Sequence, residues 1–140
     1  MNAVTTRMAM FPSRLEAWKS ARAFIEDFCK GAKVPRATCL KTNLVIEELF
    51  LNTVKHGHRG GADAPIWITL EAEDGRISLA YEDCAPPFNP FSSATREMLE
   101  ALAETRREGG LGVLLANSLI ASVDYSYVFG RNRIRLVLGA

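Results

Sequence analysis

The chain has 140 residues, 48% of them hydrophobic, and a formal charge of +1. That is the length of one ordinary domain with enough apolar residues for its own core, and a charge so near zero argues against the basic surface by which a chain binds nucleic acid or an anionic membrane. No apolar run approaches the roughly 18 residues of a membrane-spanning helix, the start MNAVTTRMAMFPS lacks the charged-then-apolar order of a secretion signal, and the three cysteines, Cys29, Cys39 and Cys84, show no C-x-x-C spacing, so neither a zinc site nor a disulfide framework is expected and a reduced, cytoplasmic setting is.

One domain is expected over residues 1–140, with 1–10 as a flexible N-terminal segment. The stretch RLEAWKSARAFIEDFCKGA then places Leu15, Trp18, Ala21, Phe24 or Ile25 and Phe28 at helical spacing, after Pro12 and Ser13 and before Gly31. A second helix runs from Pro35, which suits a first helical turn, to about Lys55. Leu40, Leu44, Val45 or Ile46, Leu49 and Phe50 supply its buried face, and the glycine-dense HGHRGGADAP ends it. In PIWITLEAE, Ile66, Ile68 and Leu70 alternate with Trp67, Thr69 and Glu71, and in RISLAYED Ile77, Leu79 and Tyr81 alternate likewise. Asp74-Gly75 between them is a short-hairpin turn. From Cys84 to about Ala94 the chain reads as loop, with Pro86, Pro87 and Pro90. A short helix is expected over Thr95–Arg107, an apolar helix over VLLANSLIA, a strand over VDYSYVF, a turn at GRN and a last strand over RIRLVLG. This order points to an α+β fold, a two-layer sandwich with a mixed but mostly antiparallel sheet and helices on one face.

Three segments carry candidate chemistry. In EELFLNTVKHGH, Glu48, Asn52 and His56 stand four apart and so share one helix face, stepping round by about 40° each. A solvated stripe is the plain alternative. In YEDCAPPFNPF, Asp83 leaves a strand end, where a buried carboxylate can accept a purine's exocyclic amine; capping a turn is the alternative. In EGGLGVLLANSL, Gly109, Gly110 and Gly112 precede an apolar helix, and free N–H groups at a helix start can cradle phosphate. That segment matches neither the P-loop nor the Rossmann pattern; a flexible linker is its alternative.

Together, and in this order, the three segments resemble the GHKL (Bergerat-fold) ATPase superfamily, which includes histidine kinases and gyrase, and within it the small anti-sigma-factor serine kinases. The likeness runs from Phe11 to Leu138. IEELFLNTVKHG resembles the N box E-x-x-x-N-x-x-x-H, EDCAPPFNP the box D-x-G-x-P-F-D/N-P, and GGLGVLLANSLIASVDYSYVFGRNRIRLVL the glycine box with its helix and closing strands. The resemblance implies a Bergerat ATP-binding fold with ATP and Mg²⁺ as cofactors. Asn52 would ligate the metal and Glu48 would be the general base. Asp83 would receive the adenine amino group, with Lys55 and Ala85 lining the base pocket. Gly110, Leu111 and Gly112 would offer backbone N–H groups to the phosphates, and Ala85–Gly109 would form a lid. His56 would order the helix end; His58 beside it lacks the third ligand of a metal site. The family has glycine where this chain has Ala85, and Cys84 next to it reads as a buried, inert thiol.

The resemblance further implies an ATP-dependent serine/threonine protein kinase that phosphorylates a small anti-anti-sigma (STAS-type) partner and sequesters a sigma factor. It implies no direct contact with nucleic acid or membrane, and homodimerisation is suggested by it alone. Two other readings stand beside it. One is a non-catalytic module that docks a regulatory partner with or without ATP, toward which Ala85 leans. The other is the catalytic half of a split sensor histidine kinase, for which the chain has no dimerising phospho-acceptor domain.

Overall fold

The computed structural model of the chain describes residues 4–57, 63–90 and 120–139. At its centre stands the hairpin that the alternating pattern announces. Strands β2 (Pro65–Glu73) and β3 (Arg76–Asp83) pair antiparallel, with Leu70 opposite Leu79 and Ile66 opposite Asp83. Asp74 and Gly75 turn the chain at φ +53° and +77°. Two successive left-handed residues match the twist of a two-residue hairpin; glycine adopts that conformation without steric cost, and aspartate is among the few residues that tolerate it.

The closing strands, β4 (Ile120–Val128) and β5 (Arg131–Leu138), form a second hairpin. Its turn lies at Phe129-Gly130, φ +54° and +76°, not at GRN, so Asn132 sits inside β5. Ile120 and Ala121, expected to finish a helix, open β4 instead. The residues expected to form helices over 95–107 and 113–119, and the glycine box, lie outside the described residues.

A fifth strand stands where a flexible lead-in was expected. Thr5–Pro12, here β1, pairs along the length of β2, with Phe11 opposite Ile66. Its sequence, TTRMAMFP, conceals this. Met8 and Met10 face solvent, and of the eight residues Phe11 alone is buried, so no apolar-in, polar-out alternation marks the strand. The sheet order is β1-β2-β3-β5-β4, and each neighbouring pair among the described strands is antiparallel.

A short 3₁₀ turn (Leu15–Ala17) leads into α1 (Trp18–Gly31), and α2 (Arg36–Asn52) follows. Both pack on the inward face of the sheet. Ile25 and Phe28 of α1, and Ile46, Leu49 and Phe50 of α2, are buried with Ile66, Ile68, Leu70, Ile77, Leu79 and Leu136 of the strands. Each such side chain contributes about 1.5–3 kcal/mol by leaving water. Trp18 meets Phe50 at 5.7 Å between ring centroids, and Phe11 meets Phe24 at 6.0 Å, which ties β1 to α1.

The buried face of α2 is rotated from the expected one. Leu40 and Leu44 are 45% and 50% exposed, while Thr38, Thr42 and Asn43 are buried. Leu15, in the 3₁₀ turn, is also exposed. Leu44 precedes Ile46 by two residues, about 200° round the helix, so one helix cannot bury both against one sheet. Two of these buried polar side chains donate hydrogen bonds, within α2 and to α1, while Asn43 Oδ1 is left without a partner. Thr42 Oγ1 donates to the Thr38 carbonyl at 2.8 Å, and Asn43 Nδ2 donates to the Cys39 carbonyl and to Glu26 Oε1, each at 3.3 Å. A hydroxyl bonded in this way is buried at little cost, whereas the unpartnered Asn43 oxygen is buried at a cost of about 1–3 kcal/mol. The fold is thus the α+β sandwich expected, with its helices on one sheet face.

Candidate functional site

The alternation that turns Ile77, Leu79 and Tyr81 inward does the same for Asp83, the last residue of β3. There it opens into a cavity of about 470 Å³ between the end of α2, the segment after β3 and the start of β5. Leu49, Asn52, Thr53, Ala85, Phe88 and Ile134 are among its walls.

Asp83 is 7% exposed and held by three donors. Thr53 Oγ1 donates to Oδ2 at 2.8 Å, while the Ala85 N–H at 3.2 Å and Asn132 Nδ2 at 2.9 Å both donate to Oδ1. Tyr81 lies behind Thr53, its hydroxyl 2.6 Å from Thr53 Oγ1 and 3.1 Å from the Leu49 carbonyl. A hydroxyl has one proton. The Leu49 carbonyl also lies 3.0 Å from Thr53 Oγ1; with the Thr53 proton given to the charged Asp83 at 2.8 Å instead, the phenol supplies the proton of the 2.6 Å contact. The result is a directed chain from Tyr81 through Thr53 to the carboxylate. Each of the two carboxylate oxygens can accept two donors, so one acceptor position remains, on Oδ2.

Burial drives the Tyr81 phenol well above the usual tyrosine range. A phenol whose folded pKa is raised keeps its proton in the native state at a pH where the unfolded chain has lost it. Its contribution is therefore full below the unfolded pKa of about 10 and falls as pH rises above that value. Tyr81→Phe should cost about 1 kcal/mol near neutrality, through the lost hydrogen bond to Thr53. It should also flatten the decline in stability above pH ~10. Urea unfolding followed by tryptophan fluorescence at a series of pH values measures both effects.

The cavity brings together Asn52, Asp83 and Ala85 of the sequence-predicted residues. Glu48, half-buried, lies one turn before Asn52 on α2 and is not among the lining residues. Where α2 gives way to a π turn over Thr53–Gly57, Thr53 is buried against Asp83 and Lys55 is exposed, away from the cavity walls. The backbone of His56 belongs to this turn. His58, Gly109, Gly110, Leu111, Gly112 and the expected lid beyond Pro90 lie outside the described residues.

Ala85 is buried, and it is not among the non-glycine residues with positive φ. The backbone there makes no demand that only glycine meets. Cys84 is exposed, not buried as expected. The thiols at Cys29 and Cys39 are the buried ones, and burial pushes both above the usual thiol range.

Thr53, Tyr81 and Asn132 went unassigned in the sequence. Tyr81 carried a signal, a polar tip on the inward face of a strand. Thr53 and Asn132 carried none, since both owe their roles to partners far along the chain. Asn132 stands opposite Asp83 only through the β3–β5 register.

Chemically, one strongly oriented carboxylate at the floor of an apolar cleft suits a flat ring bearing an N–H donor. Asn52 on the adjoining wall offers an amide oxygen. Among the described residues, no cluster of three or more His, Cys, Asp or Glu side chains could hold a metal ion.

Residues 11–138 match the family model described as histidine kinase-like ATPase domain. No curated protein matches the chain. Among solved structures, the chain is similar to the crystal structure of the RsbU and RsbW domains of Rv1364c from Mycobacterium tuberculosis, at 14% identity and a TM-score of 0.63. The match covers 96% of this chain and 32% of that one, so the chain spans about a third of that protein's length, and at this identity the likeness shows the fold.

Proposed function

The chain belongs to the histidine kinase-like ATPase domain family, and from that premise we propose that it binds ATP with Mg²⁺ and acts as an anti-sigma-type regulator, transferring phosphate to a serine or threonine of a small anti-anti-sigma (STAS-type) partner and sequestering a sigma factor. The observation that carries the nucleotide reading is the buried Asp83, with three fixed donors and one acceptor position left for the cleft. The anti-sigma branch is supported by the boxes around Glu48, Asn52 and Asp83 and by the fold likeness to a chain that carries an RsbW domain.

In this reading Asp83 accepts the exocyclic amine of adenine, and Leu49 and Ile134 supply apolar walls for the ring. Asn52 offers its side-chain oxygen to the metal. Bound Mg²⁺ neutralises charge on the phosphate oxygens. Backbone N–H groups of Gly110, Leu111 and Gly112 cradle the phosphates. Glu48 takes the proton of the attacking hydroxyl as its oxygen bonds to the γ-phosphorus, and the bond from that phosphorus to the β–γ bridging oxygen breaks, releasing ADP.

Two measurements on the purified chain test this. Calorimetric titration with ATP and ADP, with and without Mg²⁺, should show micromolar binding. Labelled ATP with STAS-type proteins encoded near its gene should show transfer to a serine or threonine. ATP binding without transfer to any such partner would leave a non-catalytic, partner-docking regulator. No ATP binding would overturn the nucleotide reading altogether.

A further inference from the structure

Asn132 is 5% exposed, and its amide is fully occupied by the protein. The two protons of Nδ2 serve three acceptors, Asp83 Oδ1 at 2.9 Å and the carbonyls of Ala85 and Pro86, each at 3.0 Å, so one proton is shared between two of them. Oδ1 accepts the Phe88 N–H at 2.9 Å and the Tyr125 hydroxyl at 2.6 Å. A carboxamide has two protons to give and two lone pairs to receive with, so none is left for a ligand. The Phe88 N–H, which can only donate, fixes which way round the amide sits. One side chain on β5 thus straps the carboxylate of β3 to three residues of the segment that follows it.

We propose that Asn132 is a positioning residue for base selection. It holds Asp83 and the Ala85–Phe88 segment in the arrangement that leaves one acceptor position on Oδ2, before any ligand arrives. A base with an exocyclic amine fills that position with an N–H, whereas one with a carbonyl there sets oxygen against oxygen, and one with hydrogen there makes no bond. Selectivity for an amino-purine therefore acts through Asn132 although its amide has no group left to bond the base. The inference rests on the ATP-binding reading and goes beyond it by assigning the selectivity to a network outside the ligand contacts.

The test compares ATP with purine riboside triphosphate, which lacks the exocyclic amine, by calorimetric titration. The wild-type chain and the variants Asn132→Ala and Tyr125→Phe are used, each checked for folding by the fluorescence of Trp18 and Trp67. Wild type should prefer ATP by about tenfold or more, the worth of a hydrogen bond to a carboxylate. Asn132→Ala should lose most of that preference, weakening ATP about tenfold and the analogue by less than about threefold. Tyr125→Phe frees one lone pair of the amide and should reduce the preference by a few-fold. It decides the matter should Asn132→Ala fail to fold. Equal loss for both nucleotides means that Asn132 only supports the fold, and an unchanged preference in every folded variant also overturns the inference while leaving ATP binding intact. A wild-type chain that binds neither nucleotide overturns the ATP-binding reading itself.

Discussion

Glu48→Gln should reduce phosphate transfer by about 10²–10⁴-fold, the usual contribution of a positioned general base, while ATP affinity stays within about twofold of wild type. The substitution keeps the shape and hydrogen-bonding reach of the side chain and removes the basic oxygen. Glu48 is half-buried on α2, one turn before Asn52, and is not among the residues lining the cavity at Asp83, the proposed base site. Its loss should therefore appear in the turnover rate and not in nucleotide binding. Single-turnover transfer to the partner, measured beside calorimetric ATP affinity, separates the two. A matching fall in both would place Glu48 in nucleotide binding; no fall in either would remove it from the mechanism.

Asp83→Asn should weaken ATP by about 100-fold and destabilise the fold by about 2 kcal/mol. The carboxylate receives three donors, from Thr53, Ala85 and Asn132. An amide replaces one accepting oxygen with a donating NH2, so at least one of those buried donors is left facing an N–H. If the nitrogen takes the Oδ1 position, it meets both the Ala85 N–H and Asn132 Nδ2. If it takes the Oδ2 position, Thr53 must turn its proton away, and the acceptor left for the ligand is lost. Either outcome removes the base contact or the geometry that supports it. Calorimetric titration and urea unfolding measure the two effects, and retention of wild-type affinity would sink Asp83 as the base-binding residue.

Much of the architecture was legible along the chain because its signals are local. The β2–β3 hairpin needed only alternating apolar residues and Asp74-Gly75 between them. The start of α2 at Pro35 and its end near the glycine-rich stretch were equally plain. Where expectations missed, competing local signals were resolved by packing. α2 carries apolar residues most of the way round, and the choice of Ile46 and Leu49 over Leu40 and Leu44 was made by the sheet beneath it. β1 has no inward alternation of its own and is a strand because β2 offers it an edge.

The candidate site divides along the same line. The sequence by itself determined the residue types that the proposed chemistry calls on, Glu48 and Asn52 at helical spacing and Asp83 at a strand end, because spacing along one element is a local property. The tertiary structure alone decided how Asp83 is held. Thr53 comes from the end of α2, thirty positions before it, and Asn132 from β5, forty-nine positions after it. Hydrogen bonds of that reach depend on strand register and helix placement, which follow from burying the whole core at once.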